Sequence, residues 1–255
     1  FIIFSSILIF FFLSIIYLSI YGIKTDSFNN FINNKVRDYN SKLTFLLDDV
    51  FIKLNLSQGA ININTKESIL IAESNPIKIA NIDINLNLIK FLKNENSIKN
   101  IKIKSSNNLI KDVTSFLNSI DYNLSRYVLY SQINKGILNF ELDAKFNKFN
   151  QDIISYFISG SVNNAGLNII GFENINDLNF NFQAQEDLVK ISDLNFNYNE
   201  IGFLSKSLEI KAGKSGGYYI KGDIENIKAL INPNLVFELT KINQDYLSKK
   251  DILLK

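Results

Sequence analysis

The sequence predicts a mainly β protein with short α segments, carried behind one N-terminal transmembrane helix. Two observations predict it. Residues 1–23 run without a single charge. After them, apolar and polar side chains alternate with a period of two over most of the chain, as strands with one buried face require.

The opening stretch, FIIFSSILIFFFLSIIYLSIYGI, supplies the roughly 20 apolar residues that a membrane-crossing helix needs. Each central Leu, Ile, Phe or Val favours insertion by roughly 0.3–0.6 kcal/mol. Tyr17 and Tyr21 stand near the distal end, where aromatic side chains prefer the interface, and Lys24 is the first charge. A cleaved signal peptide has an apolar core of only about 7–15 residues and a small-residue cleavage site. No A-x-A pattern precedes Lys24, so residues 1–23 are expected to remain as an anchor. The following charges (Lys24, Asp26, Lys35, Arg37, Asp38) are mixed in sign and do not set an orientation. The chain starts at Phe1 rather than Met and ends at Lys255 in an amphipathic stretch, so it is expected to be a piece of a longer protein.

Composition narrows the function. With 27 basic and 25 acidic residues, the formal charge is +2, without the clustered basic excess of a nucleic-acid binder. There is no Cys, His, Met or Trp, hence no disulfide framework, no ordinary zinc site and no histidine general base. Ile, Asn and Lys are over-used together, as AT-rich codons produce, so much of the Asn is expected to carry no functional message.

Along the body, residues 24–40 form an amphipathic juxtamembrane segment. Phe28, Phe31, Ile32, Lys35, Val36 and Tyr39 recur at helical spacing, and Thr25 or Asp26 is the expected cap. This helix either lies on the headgroups or packs onto the first strands. Strands are expected at Leu43–Leu47 and Val50–Leu56 on either side of Asp48-Asp49, with a turn at Gln58-Gly59 and alternation at Ile61 and Ile63. Ser68–Ala72 is a short apolar run, closed by Asn75-Pro76. Ile77 and Ile79 hold odd positions, whereas Ile82, Ile84, Leu86 and Leu88 hold even ones. A bulge at Ala80-Asn81 would restore one continuous apolar face across that slip.

Leu88–Leu92 has a brief helical look, and Ile101 and Ile103 then alternate with lysines. From Asn107 to about Ile120 the spacing of Leu109, Val113, Phe116, Leu117 and Ile120 predicts a helix with Asn108 as cap. Leu124–Ile133 is a second helix or a loop. After Lys135-Gly136, Leu138, Phe140, Leu142, Ala144 and Phe146 alternate with polar residues. Ile153–Val162 follows as a strand. Leu178, Phe180, Phe182 and Ala184, then Leu194, Phe196 and Tyr198, then Leu208, Ile210 and Ala212 repeat the pattern. Gly216-Gly217 signals a hairpin, Ile227–Ile231 a short helix, and the tail after Pro233 is unassigned.

A sheet with one apolar face must bury it, and there are too few helical residues to cover this one. The sheet either closes on itself as a sandwich or barrel, or curves into a trough filled by something else.

Catalytic constellations are scarce. Asp48-Asp49 suits a turn or rim, because adjacent strand residues face opposite ways. Gly213-Lys214-Ser215 lacks the phosphate-loop spacing, since Leu208 stands where the first Gly belongs. Glu186-Asp187 suits a turn, and the triplets Asn55-Leu56-Ser57 and Asn123-Leu124-Ser125 carry little weight as glycosylation sites.

The N-terminal region resembles the AsmA-like family of bacterial envelope proteins (AsmA, TamB and YhdP type). The likeness is carried by the membrane helix running into Gly22-Ile23-Lys24-Thr25-Asp26-Ser27-Phe28-Asn29-Asn30-Phe31-Ile32, and by Asn75-Pro76-Ile77-Lys78-Ile79. Ile82–Leu92 followed by Ser97-Ile98-Lys99-Asn100-Ile101-Lys102-Ile103 completes it. Within the Thr-Asp-x-Phe-Asn-x-x-Ile motif the matching positions are Thr25, Asp26, Phe28, Asn29 and Ile32.

The resemblance covers about residues 1–120 and implies a single-pass anchor in the bacterial inner membrane with the body in the periplasm. It also implies an elongated, curved, mostly antiparallel β sheet forming an open groove, with a few short helices. On that reading 1–23 is the anchor, 24–40 the juxtamembrane helix, 41–130 the N-terminal β/α part and 131–255 a continuing β groove.

Such a groove conducts phospholipid between inner and outer membranes or supports outer-membrane biogenesis. Its partners are phospholipid acyl chains, the inner membrane and outer-membrane or periplasmic proteins, with no nucleic acid, cofactor, metal or catalytic residue. The expected lining in the first half is Ile61, Ile63, Ile82, Ile84, Leu86, Ile101 and Ile103. In the second half it is Leu138, Phe140, Leu142, Phe180, Phe182, Phe196 and Tyr198. The alternatives are a non-enzymatic assembly or scaffold module that binds proteins through its β surface, and an enzyme or sensor ectodomain, which needs a polar pocket.

Overall fold

The computed structural model describes residues 2–93, 95, 98–121, 132–147, 152–168, 174–198, 201–213 and 217–227. Outside the described residues lie most of the ambiguous Leu124–Ile133 stretch, Asn123-Leu124-Ser125, Lys214–Gly216, 228–231 and the tail, and the side chains of Phe31, Lys35 and Tyr39.

Helix α1 (Ile2–Ile20) leads into β1 (Ile23–Thr25), α2 (Asn29–Tyr39), β2 (Leu43–Leu46), β3 (Val50–Asn55), β4 (Ala60–Ala72) and β5 (Asn75–Asn87). Then come α3 (Leu88–Leu92), β6 (Ile98–Ser105), β7 (Asn108–Leu109), α4 (Ile110–Ile120), β8 (Ile133–Phe146) and β9 (Ile153–Leu167). The last strands are β10 (Ile175–Gln185), β11 (Leu188–Tyr198), β12 (Ile201–Ala212), β13 (Tyr218–Gly222) and β14 (Glu225–Ile227).

The chain is mainly β, with one long apolar helix and a single large antiparallel sheet that does not close into a barrel. Its hydrogen-bonded order is β1-β3-β4-β5-β6-β8-β9-β10-β11-β12-β13, with β2 on β4, β7 on β8 and β14 on β12. The chain divides into two compact units. One is Phe1–Asn108, Ser115–Tyr122 and Glu141–Tyr156; the other is Leu109–Thr114, Asn123–Phe140 and Phe157–Lys255.

In the first unit, β4 and β5 form a long hairpin in one constant register from Ala60↔Asn87 to Ala72↔Asn75, interrupted only between Lys66↔Asn81 and Ser68↔Ile79. Against β6, however, Ile79 pairs with Ser105 and Asn81 with Lys104. Ala80 is therefore the extra residue of a bulge, at the place where the alternation slips in the sequence. The same slip passes into β4, where Glu67 takes a left-handed φ of 52° opposite Ala80. It brings Thr65 and Ser68 onto one face, and Ile79 and Ile82 likewise, all four buried. The outer edge of β4 changes partner at this slip, with β3 pairing Ala60–Thr65 and β2 pairing Ile69–Ala72.

Helix α2 packs against β2 and buries Ile32. Its caps differ from expectation. Phe28 occupies the N-cap position without a side-chain bond, while the Thr25 hydroxyl accepts from the Ser27 amide in the preceding turn. Asn108 differs too. Its side chain accepts from the Lys78 N–H and donates to the Lys78 and Ser106 carbonyls, so it completes the backbone bonding of β5 instead of capping α4. Helix α3 is capped as its sequence allows, with Asn87 accepting from the Lys90 N–H at 3.1 Å. Ile227, expected to open a helix, ends β14 paired with Gly202.

In the second unit, β9 through β13 continue antiparallel, and the bulges recur. Asn164, Asp177 and Asp193, with φ of 51°, 52° and 53°, lie where the ladders among β9, β10 and β11 shift register. All three are Asn or Asp, the side chains that tolerate left-handed backbone best after Gly. The octapeptides Ile175–Phe182 (INDLNFNF) and Ile191–Tyr198 (ISDLNFNY) are near copies, lying on neighbouring strands in opposite directions. Their contacts are reciprocal. Asn197 donates to the Asp177 carboxylate at 3.2 Å and Asn181 to the Asp193 carboxylate at 3.0 Å, while Asn179 donates to Asn195 at the centre. As on β4, the outer edge of β12 is shared, with β14 pairing Gly202–Leu204 and β13 pairing Leu208–Ala212.

Candidate functional site

Residues directly opposite in an antiparallel ladder project to the same face. In the first unit this places apolar side chains in continuous rows across five strands. One row is Ile52, Ile63, Ile84, Ile101 and Ala144. The next is Val50, Thr65, Ile82, Ile103 and Leu142, and a third runs Leu54, Ile61, Leu86 and Ile98. The one polar member of the three rows, Thr65, spends its hydroxyl on Ser68. Ile61, Ile63, Ile82 and Leu86 are buried, whereas Ile84, Ile101, Ile103 and Leu142 are half-buried.

The second unit builds a comparable face. Ile158, Ala184, Val189, Ile210 and Ile220 form one row, and Gly160, Phe182, Ile191, Leu208 and Gly222 the next. A Cβ on Gly160 would lie 2.7 Å from the Phe182 ring and 2.2 Å from the Asn139 carbonyl, so Gly makes room for the aromatic. Phe180 stands 6.3 Å from Phe182, ring to ring. Phe196 stacks on Phe203 at 5.2 Å, beside the buried Tyr198. Leu138 and Phe140 are half-buried on β8, in the same alternation as Leu142.

The opposite face of the first unit carries a polar network. Asn64 bonds Asn81 and Asp83, Asn85 bonds Asn100, and Lys102 and Lys104 pair with Asp143 and Glu141 at 3.2 and 2.6 Å. The abundant Asn therefore has a structural use as cross-strand amide bonding. Of the expected lining, Ile61, Ile63, Ile82, Ile84, Leu86, Ile101, Ile103, Leu142 and Phe182 fall in these rows. Sequence reasoning missed Val50, Ile52, Ile98, Ile191 and Phe203, whose membership is visible only in the register.

The motif residues Thr25, Asp26, Phe28, Asn29 and Ile32 serve the join between β1 and α2. The Asp26 carbonyl accepts from the Asn29 N–H, and the Asn29 side chain donates to the Leu47 and Asp48 carbonyls, tying α2 to the β2–β3 turn. Asp48 and Asp49 lie in that turn. They line a 580 Å³ depression with Lys24, Phe51, Asn64, Lys66 and Glu67. Lys24 pairs with Asp49, and the hydrogen bond and opposite charge hold its ammonium pKa above 10.5.

Helix α1 exposes its apolar side chains all round, and Ile3–Ile20 is long and apolar enough to cross a membrane. Tyr17 and Tyr21 lie exposed near its end, ring centroids 5.3 Å apart. Among the described residues, no three His, Cys, Asp or Glu side chains gather as metal ligands would. Comparison with protein-family models, curated proteins and solved structures returned no match.

Proposed function

We propose that this chain is an inner-membrane-anchored periplasmic protein of AsmA-like type. Its apolar sheet faces line a curved groove that binds phospholipid acyl chains and conducts them between inner and outer membranes, or otherwise supports outer-membrane biogenesis. The observation that carries this reading is the run of aliphatic rows across β3, β4, β5, β6 and β8, with amides and ion pairs confined to the other face. Acyl chains gain about 0.8 kcal/mol per buried CH₂ and need no hydrogen bonds from such a surface. Headgroups stay at the solvated rim.

The test keeps the chain whole in a bacterial envelope. Photo-crosslinking residues replace Ile84, Ile103 or Phe182 on the apolar faces, and Asn85, Lys102 or Asn181 on the polar ones. Phospholipid adducts from the first set and none from the second support the groove. Equal yields from both sets, or none from either, reject it.

One observation favours a second reading, an envelope assembly module that binds proteins through its β surface. Strand β13 ends the sheet order, pairs with β12 alone among the described residues, and exposes Tyr218, Tyr219 and Ile220. An edge of this kind accepts a strand from another protein.

A further inference from the structure

We infer that the end of the first unit beside α1 docks onto the surface of the bilayer that holds α1, forming a second, peripheral membrane contact. The inference rests on α1 spanning a membrane and adds where the body meets the lipid.

Strand direction carries the first step. Ile23 pairs with Ile52, so the chain running back from Ile23 into α1 and the chain running on from Ile52 to Leu56 leave this antiparallel pair in the same direction. Ser19 of α1 accordingly lines one 390 Å³ depression together with Lys53–Ser57 and Asn62. The β3–β4 turn thus stands alongside the last turns of the apolar helix.

Four further segments reach the same end. The Leu88 N–H donates to the Gly59 carbonyl at 3.0 Å, which places α3 against that turn. Lys99 donates to the Gln58 carbonyl at 3.2 Å, which places the start of β6 there. Asn100 pairs with Lys145 at the end of β8, and the Asn147 N–H donates to the Asp152 carbonyl at the start of β9.

This end exposes five large aliphatic side chains. Leu56, Ile89, Leu92, Ile153 and Ile154 are 50%, 64%, 72%, 56% and 63% exposed. Around them stand Lys53, Lys90, Lys93, Lys99 and Lys145, against Glu95 and Asp152 among the described residues. Large apolar side chains ringed by lysines suit the headgroup boundary of an anionic bilayer. The adjoining apolar helix selects a bilayer over a protein partner. Each lysine near such a surface strengthens attachment about fivefold at modest salt.

The chain has no Cys, so single-Cys variants take one polarity-sensitive fluorophore each. Phe10→Cys, Glu73→Cys, Leu92→Cys and Ile154→Cys variants of this chain, helix α1 included, are reconstituted in phosphatidylcholine vesicles containing phosphatidylglycerol, with nitroxide lipids as depth quenchers. Docking is supported when deep nitroxides quench Phe10→Cys, headgroup-level nitroxides quench Leu92→Cys and Ile154→Cys, and neither quenches Glu73→Cys. Water-like emission at positions 92 and 154, with position 10 still quenched, overturns docking and leaves the anchor standing. No quenching at position 10 overturns the anchor and the docking together. Adding Lys90→Glu and Lys93→Glu to the Ile154→Cys chain is expected to lower headgroup-level quenching while position 10 is unaffected; unchanged quenching counts against the inference.

Discussion

Thr65 and Ser68, three residues apart on β4, project to the same face and hydrogen-bond to each other with both side chains fully buried. On a regular strand they would face opposite sides. The left-handed backbone at Glu67 brings them together. Removing one hydroxyl leaves the other buried and unsatisfied, which costs about 1–3 kcal/mol, whereas removing both is close to neutral. Chemical denaturation of Thr65→Val, Ser68→Ala and the double variant is expected to show two destabilised singles and a double nearer the parent.

Glu67 itself holds a conformation that costs an L residue roughly 1–2 kcal/mol. Glu67→Gly is expected to hold or slightly raise the denaturation midpoint. Glu67→Ile, β-branched at φ 52°, is expected to lower the midpoint, with a loss of stability of about 1–2 kcal/mol. Deleting Ala80, the residue β6 leaves unmatched, sets Ile79 and Ile82 two apart on one face of a regular strand and leaves Glu67 extra on β4; retained cooperative unfolding is the expected readout.

Gly160 is expected to resist any side chain. Gly160→Ala drives a methyl into the Asn139 carbonyl and the Phe182 ring, and overpacking of this kind costs about 1–3 kcal/mol. A shift of the Phe182 ring resonances, absent in Gly59→Ala, identifies the cause, because nothing lies within 4 Å of a Cβ at Gly59.

The Lys24–Asp49 pair has a defined pH signature. The folded Lys24 pKa is raised above its ordinary 10.5, chiefly by the hydrogen bond and charge of Asp49. Its stabilisation is therefore fully present below pH 10.5 and lost as pH rises through the folded value. The ammonium is well exposed, so the effect is small. Parent and Lys24→Met are expected to converge in stability in strong alkali, and to differ slightly at neutral pH.

Much of this fold is legible because alternation is local. The strands follow from it, and so does the bulge at Ala80, since Ile79 and Ile82 sit three apart. The matching slips at Glu67, Asp177 and Asp193 are harder to see, because a polar residue in a strand looks the same whether its φ is positive or negative. Asn108 illustrates a different limit. Its side chain serves the backbone of Lys78, 30 residues away, so no local rule separates that use from a cap. The rows of apolar residues needed the register, and the exposed Leu56, Ile89 and Leu92 gain meaning only once strand direction places them beside α1.

The reciprocal bonds between Ile175–Phe182 and Ile191–Tyr198 have a consequence for how such a sheet is enlarged. A strand whose partner is nearly its own copy carries both halves of a recognition code. Duplicating the segment adds a neighbour that already matches, bulge against amide, without a second round of mutation to create complementarity. Sheet width in a chain of this kind is a quantity that gene duplication sets directly.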